Sequence, residues 1–186
     1  MNRQVFEKLF LVERYAPKVP PAAALALITI ESNGDPYARR PGSRYWGLLQ
    51  MSQAYLDDAR KKNVLNVSAL DGDAQLAIEV FADMQHKYRH LIANDPDRIA
   101  LAHKAGVGAL KRYVDHYASK DVSVDDAWPE IYQYYKDRGV DLPRVPEYLR
   151  RFRKSYAEWK NFLDNQRPDE DGIELACWIP EDETLS

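Results

Sequence analysis

The sequence lacks the features of a disulfide-rich, metal-clustered or membrane-spanning chain. Its 186 residues include a single cysteine, Cys177, which excludes an intramolecular disulfide and a cysteine-based metal cluster. The longest nearly uncharged stretch, residues 20–30, is far shorter than the roughly 20 apolar residues that a membrane span needs. The first eight residues carry an acid and no long apolar region, so they do not form a secretory signal. We therefore expect a globular protein without stable membrane insertion.

The chain also lacks a strong overall charge, although its charge is unevenly distributed. Residues 165–186 contain seven acids and one base, for a net charge of −6. Because the whole chain sums to −3, the other 164 residues sum to +3. A mildly basic body suits an anionic partner, but this excess is too small to identify one. The pattern predicts a globular domain over residues 1–164, followed by an acidic, extended tail over 165–186.

Strand signals are nearly absent, and helical periodicity dominates. Hydrophobic residues make up 45% of the chain and charged residues 30%, an ordinary globular balance. Apolar residues recur at helical spacing and are interrupted at Asn-Gly-Asp-Pro, Asn-Asp-Pro and glycine-rich breaks. We predict an all-α protein with at most a small β-hairpin in residues 37–50. The predicted helices cover roughly residues 5–11, 22–32, 53–62, 73–91, 96–104, 109–118, 124–138 and 146–164.

Glu31 is the residue that first indicates chemistry. It closes the run Ala-Leu-Ala-Leu-Ile-Thr-Ile, one of the least polar stretches of the chain. A carboxyl at the end of a buried helix loses hydration, and the helix C-terminus disfavours a negative charge there. Both effects favour the protonated form that a general acid needs. Taken alone, however, Glu31 is also compatible with a solvent-facing helix end.

Three further motifs follow Glu31-Ser32 in a recognisable order. Residues 47–50 read Gly-Leu-Leu-Gln, residues 102–109 read Ala-His-Lys-Ala-Gly-Val-Gly-Ala, and residues 147–151 read Glu-Tyr-Leu-Arg-Arg. This order resembles the soluble-type lytic transglycosylases of glycoside hydrolase family 23, which are related to goose-type lysozyme. Their pattern is Glu-Ser, Gly-Leu-x-Gln, Ala-Tyr-Asn-Ala-Gly-x-Gly and a late Tyr-Val pair. The resemblance covers roughly residues 20–155 and implies a lysozyme-like fold.

The resemblance implies a role for each matching residue. Glu31 looks like the single catalytic acid/base, and Tyr148 looks like the tyrosine that faces it. Substrate-binding roles fall on the residues of the other motifs and on the aromatic pair before the second motif: Ser32, Tyr45, Trp46, Gly47, Leu48, Gln50, His103, Lys104 and Gly106. Three positions depart from the family: Arg144 replaces the glutamate that usually lies four residues before the late tyrosine, and in the third motif His103 and Lys104 replace the family's tyrosine and asparagine. An amide that would bind an N-acetyl sugar is therefore missing.

The implied reaction is the cleavage of peptidoglycan between N-acetylmuramic acid (MurNAc) and N-acetylglucosamine (GlcNAc), leaving 1,6-anhydro-MurNAc ends. No cofactor and no metal is implied, and the expected partners are glycan strands, not nucleic acid. The missing signal favours a phage lysis or virion-associated enzyme that acts on the cell wall, with a secretion-machine substrate as the second interpretation. In either case the acidic tail is a candidate docking segment. The alternatives are a hydrolytic goose-type lysozyme and a structural protein with a weakened site.

Other candidates have simpler interpretations. Asp35 lies four residues after Glu31, but Asp-Pro is an ordinary turn start. His86 and His90 have the spacing of zinc ligands, although the adjoining glutamate of His-Glu-x-x-His is absent, and surface histidines are the better interpretation. Tyr45-Trp46 fit sugar stacking and loop anchoring equally well. The basic run over residues 150–154 is typical of a solvated helix face, or of a surface attracted to an anionic polymer.

Overall fold

The computed structural model describes residues 2–39, 42–59 and 66–166. This part of the chain is 71% helical and contains no strand, so the all-α prediction is confirmed. Nine α-helices follow one another in these described ranges, with short 3-10 turns at Val67–Leu70 and Ala118–Lys120. The α-helices are α1 Arg3–Phe6, α2 Leu9–Tyr15, α3 Pro21–Ser32, α4 Gln53–Ala59, α5 Ala74–Lys87, α6 Arg89–Ile92, α7 Pro96–His116, α8 Val124–Lys136 and α9 Val145–Gln166.

Helix α3 is the centre of the fold. Pro21 occupies its first turn, where the missing N–H group costs nothing. Its residues from Ala22 to Ile28 are all buried, so the apolar run predicted from the sequence is a core helix without a solvent face. It ends where Asn33 takes a left-handed conformation with φ 57°. Glu31 is thereby fixed at the C-terminal end of a rigid, buried element.

Helix α9 packs along α3 and continues onto α7. The Trp159 indole N–H donates a 2.8 Å hydrogen bond to the Thr29 hydroxyl, joining α9 to α3. Arg153 joins α9 to α7 and α8, because its guanidinium pairs with Asp97, at 2.7 Å, and with Asp125. These contacts hold α9 against α3, α7 and α8.

Several predicted helix limits differ from the observed ones. The opening segment is split into α1 and α2, and the segment over residues 73–91 is interrupted at Tyr88. The predicted break at residues 105–108 is a kink inside α7, where Gly106 has φ 83° and ψ 166°. The predicted hairpin is reduced to one antiparallel bridge between Trp46 and Met51.

Helix α9 continues to Gln166, just past the predicted domain boundary. The rest of the predicted acidic tail lies outside the described residues. No helix in the described residues is both long and apolar enough to cross a membrane.

Candidate active site

A cavity of about 400 Å³ opens where the C-terminal end of α3, the middle of α7 and the first turns of α9 meet the loop that precedes α4. Glu31 lies within it, and the lining residues are Ile30, Glu31, Ser43, Tyr45, Gln50, His103, Lys104, Pro143, Tyr148 and Arg151. Two larger hollows, of about 730 and 740 Å³, lie elsewhere on the described surface, and neither contains Glu31. The Glu31 cavity is the smallest of the three, so volume alone would not select it.

The Glu31 carboxylate is held from two sides. The Tyr148 hydroxyl of α9 donates a 2.7 Å hydrogen bond to its Oε1 atom. Nε2 of His103, on α7, lies 3.7 Å from the same oxygen. The Glu31 side chain is only 13% exposed, so it is partly desolvated while remaining open to the cavity. A small, oriented and accessible carboxyl group of this kind can exchange a proton with a bound ligand.

Tyr148 remains a hydrogen-bond donor. Burial, followed by the negative charge of Glu31, raises its pKa well above the ordinary value for tyrosine. Its hydroxyl is therefore protonated at neutral pH and keeps pointing its proton at the carboxylate. The Nζ atom of Lys104 lies 4.8 Å from the centre of the Tyr148 ring, within the range of a cation–π contact.

His103 forms the floor of the cavity. Its side chain is 3% exposed, and its ring contacts Tyr55 and Phe81 edge-on, with centroid distances of 5.3 and 6.2 Å. Burial lowers the pKa of His103, and the charge of Lys104 lowers it further, whereas Glu31 and the Leu49 carbonyl act in the opposite direction. The imidazole is therefore neutral at pH 7. Only 3% of its side chain is exposed, and within the cavity its Nε2 atom faces Glu31 at 3.7 Å.

Of the second motif, Gln50 lines the cavity, and Gly47 and Leu48 lie behind it in the loop wall. The Gln50 amide nitrogen donates to the carbonyls of Ala38, at 2.6 Å, and Gly47, at 2.9 Å. Gly47 has φ 68°, and a Cβ atom there would lie 2.4 Å from the Leu70 carbonyl oxygen, so only glycine fits. Leu48 is completely buried and supports this wall from behind.

Three further predicted site residues, Ser32, Trp46 and Gly106, lie outside the cavity lining. The Ser32 hydroxyl donates to the Ile28 carbonyl at 3.3 Å and accepts from the Gly34 N–H at 3.2 Å, so it closes the end of α3. Gly106 produces the kink in α7. Tyr45 lines the cavity and is 42% exposed, whereas Trp46 stacks with the Arg39 guanidinium at 3.4 Å from its ring centre. Of the aromatic pair, only Tyr45 offers the cavity an open ring.

The residues considered as alternatives do not converge on a second centre. Asp35 is exposed and accepts a 2.8 Å hydrogen bond from the Tyr37 N–H, which is the turn role expected for it. His86 and His90 are both exposed and lie on different helices, α5 and α6. Among the residues that the structure describes, no group of three or more His, Cys, Asp or Glu could hold a metal ion.

Sequence reasoning missed Arg151. It belongs to the basic run that was interpreted as a solvated face, yet it lines the cavity and its Nη2 atom donates to the Ile30 carbonyl at 3.2 Å. The sequence carries no signal for this, because Arg150, Arg151 and Arg153 are equivalent in composition. Only the direction in which each side chain leaves α9 separates them.

The all-α fold places the Glu31 carboxyl group in a cavity lined by polar side chains from three helices and a loop. A family model described as the Transglycosylase SLT domain matches residues 8–125, which is more than half of the chain. The chain therefore belongs to this family, whose members are lytic transglycosylases acting on peptidoglycan. No curated protein matches the chain. The matched region contains Glu31, Gln50, His103 and Lys104, whereas Tyr148 and Arg151 lie beyond it.

Proposed function

We propose that Glu31 alone serves as acid and base in a lytic transglycosylase reaction that leaves 1,6-anhydro-MurNAc ends. As the acid, Glu31 donates its proton to the glycosidic oxygen between MurNAc and GlcNAc, and the bond to the muramyl anomeric carbon breaks. As the base, it then accepts the proton of the muramyl 6-hydroxyl while that oxygen bonds to the anomeric carbon. The proton count of Glu31 is restored, and no water is consumed.

One observation carries this proposal: among the described residues that line the cavity, Glu31 is the only carboxylate. Glycosidases that use two carboxylates place the second about 5–9.5 Å from the first, as nucleophile or as the base that activates water. The nearest acid in sequence, Asp35, is exposed and holds a turn. The substrate's own hydroxyl replaces the second carboxylate and gains from its proximity to the reacting carbon.

The other cavity residues have supporting roles in this proposal. Tyr148 orients Glu31 through its hydroxyl group and stabilises the carboxylate that forms after the first proton transfer. Tyr45 presents a half-exposed ring for stacking on a sugar. Gln50, Gly47 and Leu48 shape the wall against which the glycan lies. A phage lysis or virion-associated setting, and a docking role for residues 165–186, stay predictions.

The test combines one variant with product analysis. We expect Glu31→Gln to lower the rate of peptidoglycan cleavage by roughly 10²–10⁴, because a general acid is lost while the side chain keeps its shape. Asp35→Asn is the matched control, since it neutralises a nearby acid outside the cavity, and should retain wild-type activity. Circular dichroism checks that both variants fold.

Mass spectrometry of the muropeptides released by the wild type identifies the product. Anhydro ends support the proposal, whereas reducing MurNAc ends would identify a hydrolytic lysozyme on the same fold. Undiminished cleavage by folded Glu31→Gln would overturn the assignment of Glu31.

A further inference from the structure

The cavity around Glu31 contains more positive than negative charge. Its lining includes one carboxylate, Glu31, and two side chains that are cationic at neutral pH, Lys104 and Arg151. His103 adds no charge at neutral pH, since burial first and Lys104 second lower its pKa. When Glu31 carries the proton that a general acid must donate, the lining holds two cations and no anion. The cavity is therefore positively charged when Glu31 is protonated and ready to act as the acid.

Lys104 is directed toward the cavity by its contact with Tyr148. Its ammonium lies 4.8 Å from the Tyr148 ring centre, and the same tyrosine donates its hydroxyl proton to Glu31. The lysine charge therefore lies over a ring that touches the reacting carboxyl group. No carboxylate of the described residues forms an ion pair with Lys104. The Lys104 ammonium has three N–H donors, and Glu31 is the only acid among the described residues that line the cavity.

Arg151 reaches the same cavity from the next turn of α9. Its Nη2 atom donates to the Ile30 carbonyl, which fixes the guanidinium beside Glu31 and leaves other N–H groups of its fork unused. The contrast with Arg153 is informative. Arg153 also lies on α9, but Asp97 and Asp125 neutralise it. Arg151 forms no ion pair with a described carboxylate, so its charge is available to a ligand.

We propose that Lys104 and Arg151 form a carboxylate-binding subsite beside Glu31, and that the enzyme selects muramyl units that carry a free carboxylate next to the scissile bond. The inference rests on the proposed function, because it places a glycan in this cavity. Charge-assisted hydrogen bonds from an ammonium and a guanidinium to a carboxylate are stronger than neutral ones, and the arginine fork matches carboxylate geometry. Lys104 stands where the resembling family has asparagine, so this chain replaces a neutral amide with a cation.

Peptidoglycan offers the carboxylate from two sources. The lactyl group of MurNAc ends in a carboxylate wherever the stem peptide has been removed. Where the peptide remains, the lactyl carboxyl is an amide, and the free carboxylates belong to the peptide. The chemistry recognised is the same, so the substrates must separate the two sources.

The experiment uses the full chain and four substrates. Amidase-treated strands carry free lactyl carboxylates, and the same strands treated with carbodiimide and methylamine carry neutral amides instead. Intact peptide-bearing strands, with and without the same neutralisation, form the second pair. Within each pair the glycan is identical and only the charge differs, and release of soluble product gives kcat/KM.

We expect kcat/KM of the wild type to be about tenfold higher on the charged member of one pair. A preference within the amidase-treated pair identifies the lactyl carboxylate as the ligand, and a preference within the intact pair identifies the stem peptide. Lys104→Gln and Arg151→Gln should each remove most of the preference. Arg150→Gln is the matched control, because Arg150 is exposed on the same helix outside the cavity lining, and this variant should retain the preference. Raised salt should weaken the preference of the wild type.

Equal kcat/KM within both pairs would overturn the subsite, whatever the variants do. So would a preference that Arg150→Gln removes as completely as Lys104→Gln, because it would then arise from general surface charge. Failure of the proposed function looks different: anhydro products would be missing from every substrate, or folded Glu31→Gln would remain active. Anhydro products without charge selection would remove the subsite and leave the proposed function intact.

Discussion

The two sides of the Glu31 cavity use their polar groups in opposite ways. The loop wall, residues 43–50, directs its hydrogen bonds at its own chain: Gln50 donates to two backbone carbonyls, and the Ser43 hydroxyl accepts from the Tyr45 N–H at 3.1 Å. The helix wall, formed by Lys104, Tyr148 and Arg151, directs hydrogen bonds and charge into the cavity. Residues 47–50, which match the resembling family, thus belong to the loop wall, whereas Lys104, which departs from it, belongs to the helix wall, where we place the proposed selectivity.

The largest effect should follow from disturbing the loop wall at Gly47. We expect Gly47→Ala to reduce the free energy of unfolding by about 3 kcal/mol, because φ is 68° and the new Cβ atom would meet the Leu70 carbonyl. For a domain of this size, this corresponds to a melting temperature about 6–12 °C lower. Gly139→Ala is the control: φ is 71° but nothing lies within 4 Å, so a loss of about 1 kcal/mol is expected. Equal thermal shifts would contradict the close packing assigned to this wall.

On the helix wall, Tyr148→Phe should affect catalysis and leave the fold intact. The variant keeps the buried ring and removes only the 2.7 Å hydrogen bond to Glu31. We expect kcat to fall about tenfold while KM stays within about twofold, since the bond orients the acid and does not hold substrate. Tyr113→Phe, which removes a hydroxyl bonded to the Val122 carbonyl, should keep wild-type kcat. An unchanged kcat in Tyr148→Phe would show that Glu31 needs no support from α9.

His103, between the two walls, should make stability depend on pH. Burial first, and Lys104 second, hold its folded pKa below the unfolded value of about 6.5. Between these two pKa values the unfolded chain binds more protons, so stability falls as pH falls from about 6.5 toward the folded pKa. We expect the wild type to lose more stability than His103→Gln between pH 7 and pH 5.5 in urea unfolding. Exposed His90, changed to Gln, should leave the wild-type slope unchanged, and a slope that persists in His103→Gln would refute this assignment.

The smallest effect should follow from deleting residues 168–186, which lie outside the described part of the chain. Their acids and two prolines give little apolar surface to bury. We expect the melting temperature to change by less than about 4 °C, and kcat/KM to stay the same. Higher activity after deletion would show that these acids compete with the substrate for Lys104 and Arg151.

Much of the fold could be predicted because its signals are local. Pro21 starts α3, the left-handed turn at Asn33 and Gly34 ends it, and the tyrosine-rich face of α8 has helical spacing. The limits that differ arise where tertiary packing overrides local preference. Gly106 was expected to end a helix, but α7 resumes after a kink because its second half still packs on α8.

The residues of the site could be predicted only where the sequence matches the motifs of the resembling family. The position of Glu31 was visible in the sequence, but its neighbours Tyr148 and His103 come from helices distant in the chain, and periodicity cannot pair them. Arg151 was missed because the sequence does not show which arginine of α9 lines the cavity and which faces solvent. Ser32 and Gln50 match the motifs, yet their polar atoms serve the backbone, which no residue pattern reveals.

The hydrogen bond between Glu31 and Tyr148 spans 117 residues of chain. At about 5–20 residues per second, ribosomal synthesis of the intervening segment takes roughly 6 to 25 seconds. During that interval, the nascent chain already contains Glu31 at the end of α3 but does not yet contain Tyr148, whose hydroxyl group donates to it. A chain that terminates before α9 also lacks Tyr148 and therefore this hydrogen bond. The proposed acid therefore gains this hydrogen-bond partner only after most of the described chain has been made.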